Sequence, residues 1–197
     1  MDLEKTMRAL ERRGFHVSYF DTGAEAADAV SSQLSGKSIG IGGSMTADAL
    51  GLYDTLSLNN DVYWHWRDPN AREKAASAQV YISSANAIAQ TGEIVNIDGV
   101  GNRISALLYG HERVIILAGI NKITEDLESA VYRARNVAAP LNARRHGQKT
   151  PCAVNEPMRC YDCGSQICPC RGMSIMMYSM GGIGRTDVIL IGEELGY

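Results

Sequence analysis

The stretch "SIGIGGSMTADAL" at residues 38–50 decides the fold class, because it joins a strand, a glycine-rich turn and a helix without a gap. Residues 38–43 predict a short apolar strand that runs into glycines. Ser44 or Thr46 then fits the N-cap of a helix over residues 44–56. A strand followed at once by a helix is the repeating unit of α/β proteins with a parallel sheet.

The same alternation continues on both sides of this unit. We predict further helices over residues 2–13, 23–34, 68–78, 101–110 and 124–139. Strands are predicted over residues 15–20, 61–66, 79–84, 93–98 and 113–119. This order predicts a Rossmann-like, mostly parallel sheet with helices on both faces. After Pro140 the pattern changes, and residues 173–180 and 187–192 predict a C-terminal hairpin at an antiparallel edge of the sheet.

The length of the chain points to a single domain. It has 197 residues, of which 45% are hydrophobic. That length is enough for one well-buried domain and short for two. We therefore expect one domain over residues 1–197, with a cysteine-rich insertion over residues 150–172.

The charge pattern argues against several classes of protein. The net charge is −3 and no basic stripe is visible, unlike in a nucleic-acid binder. The basic residues within 133–149 are divided by an apolar stretch and fit a helix C-terminus. The first residues are charged, unlike a secretory signal, and the longest apolar run, residues 114–120, is too short to span a bilayer. We expect a soluble, cytoplasmic protein with no membrane partner, and homo-oligomer formation stays open.

The glycine-rich turn is a candidate ligand subsite. Backbone N–H groups at such a turn point at an anion, and the dipole of the following helix favours negative charge there. The dinucleotide fingerprint fails because Met45 stands where its third glycine belongs, and no Walker sequence is present. Two interpretations remain: a tight turn with a serine cap, or an anion subsite formed by Gly42, Gly43, Ser44 and Thr46.

A dense run of polar residues, "SSANAIAQTGEIVNIDGVGNR", occupies residues 83–103. It holds the ends of two predicted strands, and open α/β sheets bind ligands at the carboxyl ends of their strands. The candidate ligand-binding residues are Ser84, Asn86, Asn96, Gly99, Asn102 and Arg103, together with Asn121 after a third strand.

Three residues are candidates for catalysis. Asp98 or Glu93 can serve as a general base if it is partly buried, and Lys122 follows a strand that ends at the same edge of the sheet. Arg103 can clamp a carboxylate or phosphate through two hydrogen bonds. The plainer alternative is that the polar residues cap turns, that Arg103 pairs with Asp98, and that Lys122 is exposed like most lysines.

Several of these segments carry a resemblance to a known family. "GGSMT", "SSANAIAQTGEIVNIDGVGNR", "AGINKI", "RNVAAPLNA" and "ILIGEELGY" together resemble the LUD domain, the lactate-utilisation family that includes LutC- and YkgG-like proteins. The resemblance covers nearly the whole chain and implies a NagB/RpiA/CoA-transferase-like fold. It implies ligand binding at residues 42–46, 86, 96–103 and 121–122, and a link to L-lactate oxidation alongside iron–sulfur redox proteins. The cysteine-rich tail resembles the small stand-alone members rather than the LutC-like ones.

The five cysteines lie within residues 152–170 with the spacing Cys152-x7-Cys160-x2-Cys163-x4-Cys168-x-Cys170. Four thiolates can bind a metal, and we take Cys152, Cys160, Cys163 and Cys168 as the candidate ligands, with Cys170 left open. Only one C-x-x-C pair is present, so a zinc ribbon is not indicated, and the ferredoxin spacing does not fit. An iron–sulfur cluster or zinc, a redox-active thiol set, and inert thiols remain as alternatives.

The histidines and the aromatic strand are expected to be structural. His16, His65, His111 and His146 are scattered and lack the spacing of a metal-binding helix. The aromatic run at residues 63–66 is expected to lie in the core or on a sheet face, because flanking basic charge is missing.

Three functions are compatible with these features. The first is a LUD-type protein that binds a small anionic metabolite at the strand ends and works near iron–sulfur chemistry. The second is an isomerase- or transferase-like enzyme acting on a phosphorylated or acyl substrate, with Glu93 or Asp98 as the base. The third is a non-catalytic assembly subunit whose cysteine-rich loop contacts a partner or carries a cluster.

Overall fold

The computed structural model describes residues 2–197, which form ten strands and nine α-helices. The strands are β1 His16–Phe20, β2 Ser38–Ile41, β3 Asp61–Trp64, β4 Val80–Ser84, β5 Ala87–Ala89, β6 Ile94–Asp98, β7 Arg113–Gly119, β8 Ile123–Thr124, β9 Gly172–Met176 and β10 Arg185–Ile191. The helices are α1 Leu3–Arg12, α2 Gly23–Ser32, α3 Met45–Ala49, α4 Leu52–Leu56, α5 Ala71–Ala76, α6 Asn102–Leu108, α7 Leu127–Arg133, α8 Ala139–Arg145 and α9 Pro151–Val154. A 3₁₀ turn spans Ile120–Lys122, and a π-helical turn spans Ala134–Ala138.

Six strands form one parallel sheet in the order β1-β10-β7-β4-β2-β3. Successive residues of β7 show why both of its faces are covered. Val114 and Ile116 pack against α1 and α6, and Ile115 and Leu117 pack against α2 and α4. Strands buried on both faces are continuous apolar runs in sequence. The predicted fold class, a mostly parallel α/β sheet with helices on both faces, is therefore confirmed.

The predicted C-terminal hairpin at the sheet edge is wrong. Residues 172–176 form β9, whereas residues 185–191 form β10, and the two strands belong to different sheets. β10 lies in the middle of the parallel sheet, between β1 and β7. The physical reason is its composition: the six residues 186–191 are all buried, so this strand needs a neighbour on each side and cover on both faces.

The second sheet has four strands in the order β8-β5-β6-β9. β6, the segment "IVNID", is antiparallel to β5 and to β9, so it is not a member of the parallel sheet. One face of this sheet shares a core with α1, α6 and the parallel sheet, through Ile88 and Ile94. The other face packs Val95 and Ile97 against alanines of α7, the π turn and α8.

The last long helical segment continues past Pro140, where the sequence predicted its end. α7 passes through the π turn directly into α8, and Pro140 lies within the first turn of α8. A proline inside a helix removes one i→i−4 hydrogen bond, and the π turn directly before Pro140 is where this hydrogen-bond pattern already changes. The extension carries the chain to Arg145, beside the polar cavity described below. Within residues 2–197, no helix has the length and apolar character needed to cross a membrane.

Candidate functional site

A cavity of about 660 Å³ opens at the carboxyl ends of β2, β4 and β7. The parallel register of these strands brings their ends to the same edge of the sheet, where open α/β sheets bind ligands. The polar and charged lining residues are Ser44, His65, Arg72, Ser84, Asn86, Asp98, Asn102, Arg103, Lys122, Asn142, Arg145, His146, Gln148, Gln166, Cys168, Arg171 and Tyr197.

The glycine-rich turn forms one wall of the cavity. Gly43 and Ser44 line it, and the Ser44 hydroxyl accepts a hydrogen bond of 3.0 Å from the Ala47 N–H, which caps α3. Gly42 lies behind this wall, where a Cβ would stand 2.8 Å from the Tyr81 hydroxyl. Ser44 therefore caps α3, as one interpretation of the sequence expected. Of the four residues predicted to form an anion subsite, Gly43 and Ser44 line the cavity, whereas Gly42 and Thr46 do not.

Arg103 is held in place at the centre of the site. Its Nη2 donates to the carbonyl of Ile97 at 2.5 Å and to Asn86 Oδ1 at 3.4 Å. Asn86 Oδ1 also accepts from the Ile97 N–H at 2.7 Å, which ties the amide to β6. Because an arginine has five N–H donors, this guanidinium keeps donors for a ligand in the cavity.

Asp98 caps α6. Its carboxylate accepts hydrogen bonds from the backbone N–H groups of Val100, Arg103 and Ile104 at 3.0, 2.9 and 3.2 Å. Burial alone would raise the pKa of Asp98, but these N–H donors and the Arg103 charge hold that pKa below its ordinary value. Asp98 is therefore a stable anion with its oxygens occupied, which suits a structural cap better than a general base.

Lys122 is almost completely buried, with 2% of its surface exposed, although most lysines that follow a strand are exposed. Its Nζ donates to Thr46 Oγ1 at 2.9 Å and to Ser84 Oγ at 2.6 Å. Burial first, and then the charges of Arg133 and Arg103, lower the pKa of Lys122 to about 7. The amine is thus partly neutral near physiological pH.

Three further cations line the cavity and were not among the residues predicted from the sequence. Arg72 lies on α5, Arg145 ends α8, and Arg171 precedes β9. With Arg103 they make four arginines, and within residues 2–197 none of the four is in a salt bridge. Lys122 adds a fifth basic group, whose amine is partly neutral. Asp98 is the single Asp or Glu among the described lining residues. A chain with a net charge of −3 has therefore gathered positive charge in one place.

Two histidines line the cavity beside Arg72 and Arg145. His65 and His146 line the cavity, and burial is the first reason that the pKa of each is lowered. Arg72 and Arg145 add to the effect at His65, and Arg145 adds to it at His146. Arg145 also lies over the Trp66 ring, 4.7 Å from its centroid. The basic run "ARRH" at residues 143–146 was the sequence signal for this wall. Because the helix was expected to end at Pro140, the sequence did not predict where this run lies.

Comparison of the chain with known protein families identifies one match. The chain matches the LUD domain over residues 3–191, which is nearly its whole length. The protein belongs to the LUD domain family. A search of the curated proteins finds no match. Among solved structures, this LUD domain is similar to a DUF162 family protein from Deinococcus radiodurans, with 15% identity and a TM-score of 0.57. That likeness covers 96% of this chain and 95% of the other, and it shows a shared fold.

Several predicted site residues of this LUD domain do not reach the cavity. Glu93 is buried directly before β6, where it pairs with Arg13, the residue after α1, and accepts a hydrogen bond from Thr91. Asn96 is fully buried, and its side chain has no hydrogen-bond partner within residues 2–197. Glu93 lies apart because it precedes the start of β6, whereas the end of that strand carries Asp98 to the cavity.

Two other predicted residues act behind the cavity wall. Thr46 does not line the cavity but accepts the hydrogen bond from Lys122. Asn121 holds the C-terminal segment of the LUD domain: its Oδ1 accepts from the Leu195 N–H at 3.2 Å, and its Nδ2 donates to the Gly196 carbonyl at 3.3 Å. That segment places Tyr197 in the cavity wall.

All five cysteines of the LUD domain line a second cavity, of about 810 Å³. Each is a free thiol. Within residues 2–197, no three Cys, His, Asp or Glu side chains are arranged as a ready-made metal site. The two cavities share Cys168, Gln166 and Arg171 in their walls, so the cysteine-lined cavity borders the polar one.

Proposed function

We propose that this LUD domain binds a small anionic metabolite in the polar cavity. The observation that carries the proposal is a set of four arginines in the cavity wall with no salt-bridge partner within residues 2–197, beside a single carboxylate. Arg103 is partly buried, whereas Arg72, Arg145 and Arg171 are exposed and add positive charge around it. A partly buried charge among like charges is unfavourable unless something negative joins it. The single charge of Asp98 acts on Arg103, so it leaves most of the positive charge of the four arginines unbalanced.

The shape of the site supports a small ligand. The volume of about 660 Å³ is within the range of small-molecule sites. Arg103 supports recognition of a planar carboxylate, because its orientation is fixed by Asn86 and the Ile97 carbonyl. Ser44 and Ser84 add hydroxyl groups at the strand ends.

Family membership supports a finer version of the proposal, a role in lactate utilisation. The three-carbon 2-hydroxy and 2-oxo acids of that process carry one carboxylate beside a hydroxyl or carbonyl group. The cavity offers arginine for the first group and serine, asparagine and lysine for the second. L-Lactate and pyruvate are therefore the first ligands to test.

Isothermal titration calorimetry of L-lactate, pyruvate and inorganic phosphate against the purified protein tests this function. We expect at least one to bind, and Arg103→Gln to weaken binding about 10- to 100-fold, since a hydrogen bond to a charged group contributes about 1.5–3 kcal/mol. Arg144→Gln is the matched control, because Arg144 pairs with Glu156 and is not among the lining residues. Equal affinity in wild type and Arg103→Gln would remove the proposal.

We also propose that the cysteine-lined cavity holds a metal, either an iron–sulfur cluster or zinc. The support is that five thiols separated by up to 18 positions in sequence border one space. A purely thiolate donor set suits both groups. Cys152, Cys160, Cys163 and Cys168 would be the ligands, and the segment that carries the last three would have to draw them closer together.

Anaerobic purification followed by iron, sulfide and zinc analysis tests the metal proposal. We expect a stoichiometric metal that is lost in Cys160→Ser and Cys163→Ser. An anaerobic preparation without metal, which also takes up none when iron and sulfide or zinc are supplied, would contradict it.

A further inference from the structure

Lys122 has an environment that differs from that of an ordinary buried lysine. It is 2% exposed, yet within residues 2–197 no carboxylate lies within salt-bridge distance of its Nζ. Buried charges are normally paired, because an isolated ammonium loses its hydration. The charges that act on Nζ are those of Arg133 and Arg103, and both repel an ammonium. The surroundings therefore favour the neutral amine.

The hydrogen bonds at Nζ fit a neutral amine. Ser84 Oγ donates to the Ala85 carbonyl at 3.3 Å, and Thr46 Oγ1 donates to the Leu195 carbonyl at 3.2 Å. The two hydroxyl oxygens also lie 3.2 Å apart, and each has a lone pair that accepts an N–H bond from Nζ. A neutral amine has two N–H donors and one lone pair, so both donors are satisfied and the lone pair is left over.

The remaining side of Lys122 faces the polar cavity, where Arg103 also stands. A ligand with its carboxylate on Arg103 enters the same space as the amine. Lys122 itself is 2% exposed, and a neutral amine removed from water in this way is a nucleophile toward carbonyl groups. The two side chains together thus select a molecule that has both an anionic group and a carbonyl.

We propose that Lys122 is a nucleophile that forms an imine with small 2-oxo acids whose carboxylate is bound by Arg103. This inference rests on the proposed anion-binding function and names a ligand class and a reactive atom for the same cavity. It concerns a covalent step, which anion binding alone does not require.

The step balances without an oxidant or reductant. The Nζ lone pair attacks the carbonyl carbon, and the carbonyl π electrons move to oxygen, which takes up a proton as nitrogen releases one. The resulting carbinolamine loses its hydroxyl group with a proton as water, and the nitrogen lone pair forms the C=N bond. The proton released by nitrogen can pass to Ser84 Oγ or Thr46 Oγ1, both hydrogen-bonded to Nζ, as that hydroxyl turns its own proton from the backbone carbonyl to the ligand oxygen.

Reductive trapping tests the inference. The wild-type protein is incubated with pyruvate, 2-oxobutyrate or glyoxylate and sodium borohydride, and intact mass and peptide mapping follow. With pyruvate we expect one carboxyethyl group on Lys122, formed at least about tenfold faster than on the exposed Lys149, because an ordinary lysine is almost fully protonated at pH 7. L-Lactate has no carbonyl and should give no adduct. Lys122→Arg should abolish the adduct, and Arg103→Gln should lower its yield.

Failure of this inference and failure of the anion-binding proposal give different results. If the 2-oxo acids bind in calorimetry but none is trapped at Lys122, the imine is excluded and anion binding stands. If calorimetry also shows no binding of any of these acids, of L-lactate or of phosphate, both proposals fail. Trapping at equal rates on Lys122 and Lys149 also overturns the inference. Because the peptide mapping is made on the wild-type protein, this result does not depend on whether a variant folds.

Discussion

At the scale of single residues, the burial of Lys122 lowers the stability of the folded protein and supplies the amine that we propose as a nucleophile. Removing an ammonium from water without a carboxylate partner is expensive, and the protein avoids part of that cost by favouring the neutral form. The free energy involved is large: lowering the pKa of a lysine from 10.5 to about 7 corresponds to about 5 kcal/mol at pH values below 7. Retaining such a group in a cavity is typical of functional sites.

Lys122→Met should change the way that stability depends on pH. In the wild type the unfolded chain binds a proton at this lysine between pH 7 and 10.5 that the folded chain does not bind, so the free energy of unfolding rises with pH in that window. Methionine removes the effect. The stability of the variant relative to the wild type should therefore fall by about 3 kcal/mol between pH 6 and pH 9.

Urea denaturation at both pH values measures this difference. Lys149→Met, at an exposed position, is the control and should differ from the wild type by the same amount at pH 6 and at pH 9. A pH-independent difference between Lys122→Met and the wild type would show that the pKa of Lys122 is not lowered.

Glu93 should matter for stability and not for ligand binding. Glu93→Gln removes the charge that pairs with Arg13 in a largely buried place, so the free energy of unfolding should fall by about 2–4 kcal/mol. Glu4→Gln is the control, since Glu4 forms an exposed pair with Arg8 on the same helix, α1, and should cost less than about 1 kcal/mol. Calorimetry should give wild-type affinity for both variants. A large loss of affinity in Glu93→Gln alone would return Glu93 to the site.

The sequence predicted part of the site at this scale. Residues at strand ends, such as Ser84, Asn86 and Arg103, were accessible to prediction, because parallel strands deliver their carboxyl ends to one edge. Arg72, Arg145 and Arg171 were not, since each reaches the cavity from a segment distant in sequence. Glu93 was misleading because it directly precedes β6, whereas Asp98 ends that strand at the cavity.

At the scale of elements, the turn between β2 and α3 requires glycine at one position and not at the next. A Cβ on Gly42 would stand 2.8 Å from the Tyr81 hydroxyl and 3.0 Å from Ser83 Oγ. On Gly43 the nearest atoms are 3.7 Å away, in His65 and Trp66. Gly42 therefore allows the turn to approach β4 closely.

Gly42→Ala should destabilise the protein by about 1–3 kcal/mol, because the added methyl group overpacks a well-filled region. Gly43→Ala should cost much less, since its methyl group would meet ordinary van der Waals distances. Thermal unfolding of the two variants side by side gives the comparison. Equal losses, or a larger loss at Gly43, would contradict the described packing of the turn.

The elements that the sequence assigned wrongly share a physical cause. A short apolar run shows that a strand is buried but not which neighbours bury it. β10 was therefore placed at an edge although it lies between β1 and β7. β6 was placed among alternating parallel strands although it pairs with β5 and β9. Strand pairing depends on contacts far apart in sequence, which local patterns do not contain.

At the scale of the whole molecule, two sheets bring two cavities side by side. The parallel sheet supplies the polar cavity at its carboxyl edge, and the second sheet, with the segment before β9, supplies the cysteine-lined cavity. Cys168 belongs to both walls, whereas Cys163 belongs only to the second. A ligand in the polar cavity should therefore change the accessibility of the Cys168 thiol and leave that of the Cys163 thiol unchanged.

Saturating anionic ligand should slow alkylation of Cys168 by iodoacetamide severalfold and leave Cys163 unchanged, because only Cys168 borders the occupied space. Peptide mapping of the metal-free protein after timed alkylation measures both rates in one sample. Equal protection of both thiols, or none, would indicate that the cavities do not share a wall in solution.

The most direct test of the central claim is a crystal structure of the protein soaked with the tightest-binding of L-lactate, pyruvate and phosphate. The proposal predicts density for the anion inside the polar cavity, with an oxygen within hydrogen-bond distance of the Arg103 guanidinium. Anion density found elsewhere on the protein, with the cavity holding only water at saturating ligand, would contradict it.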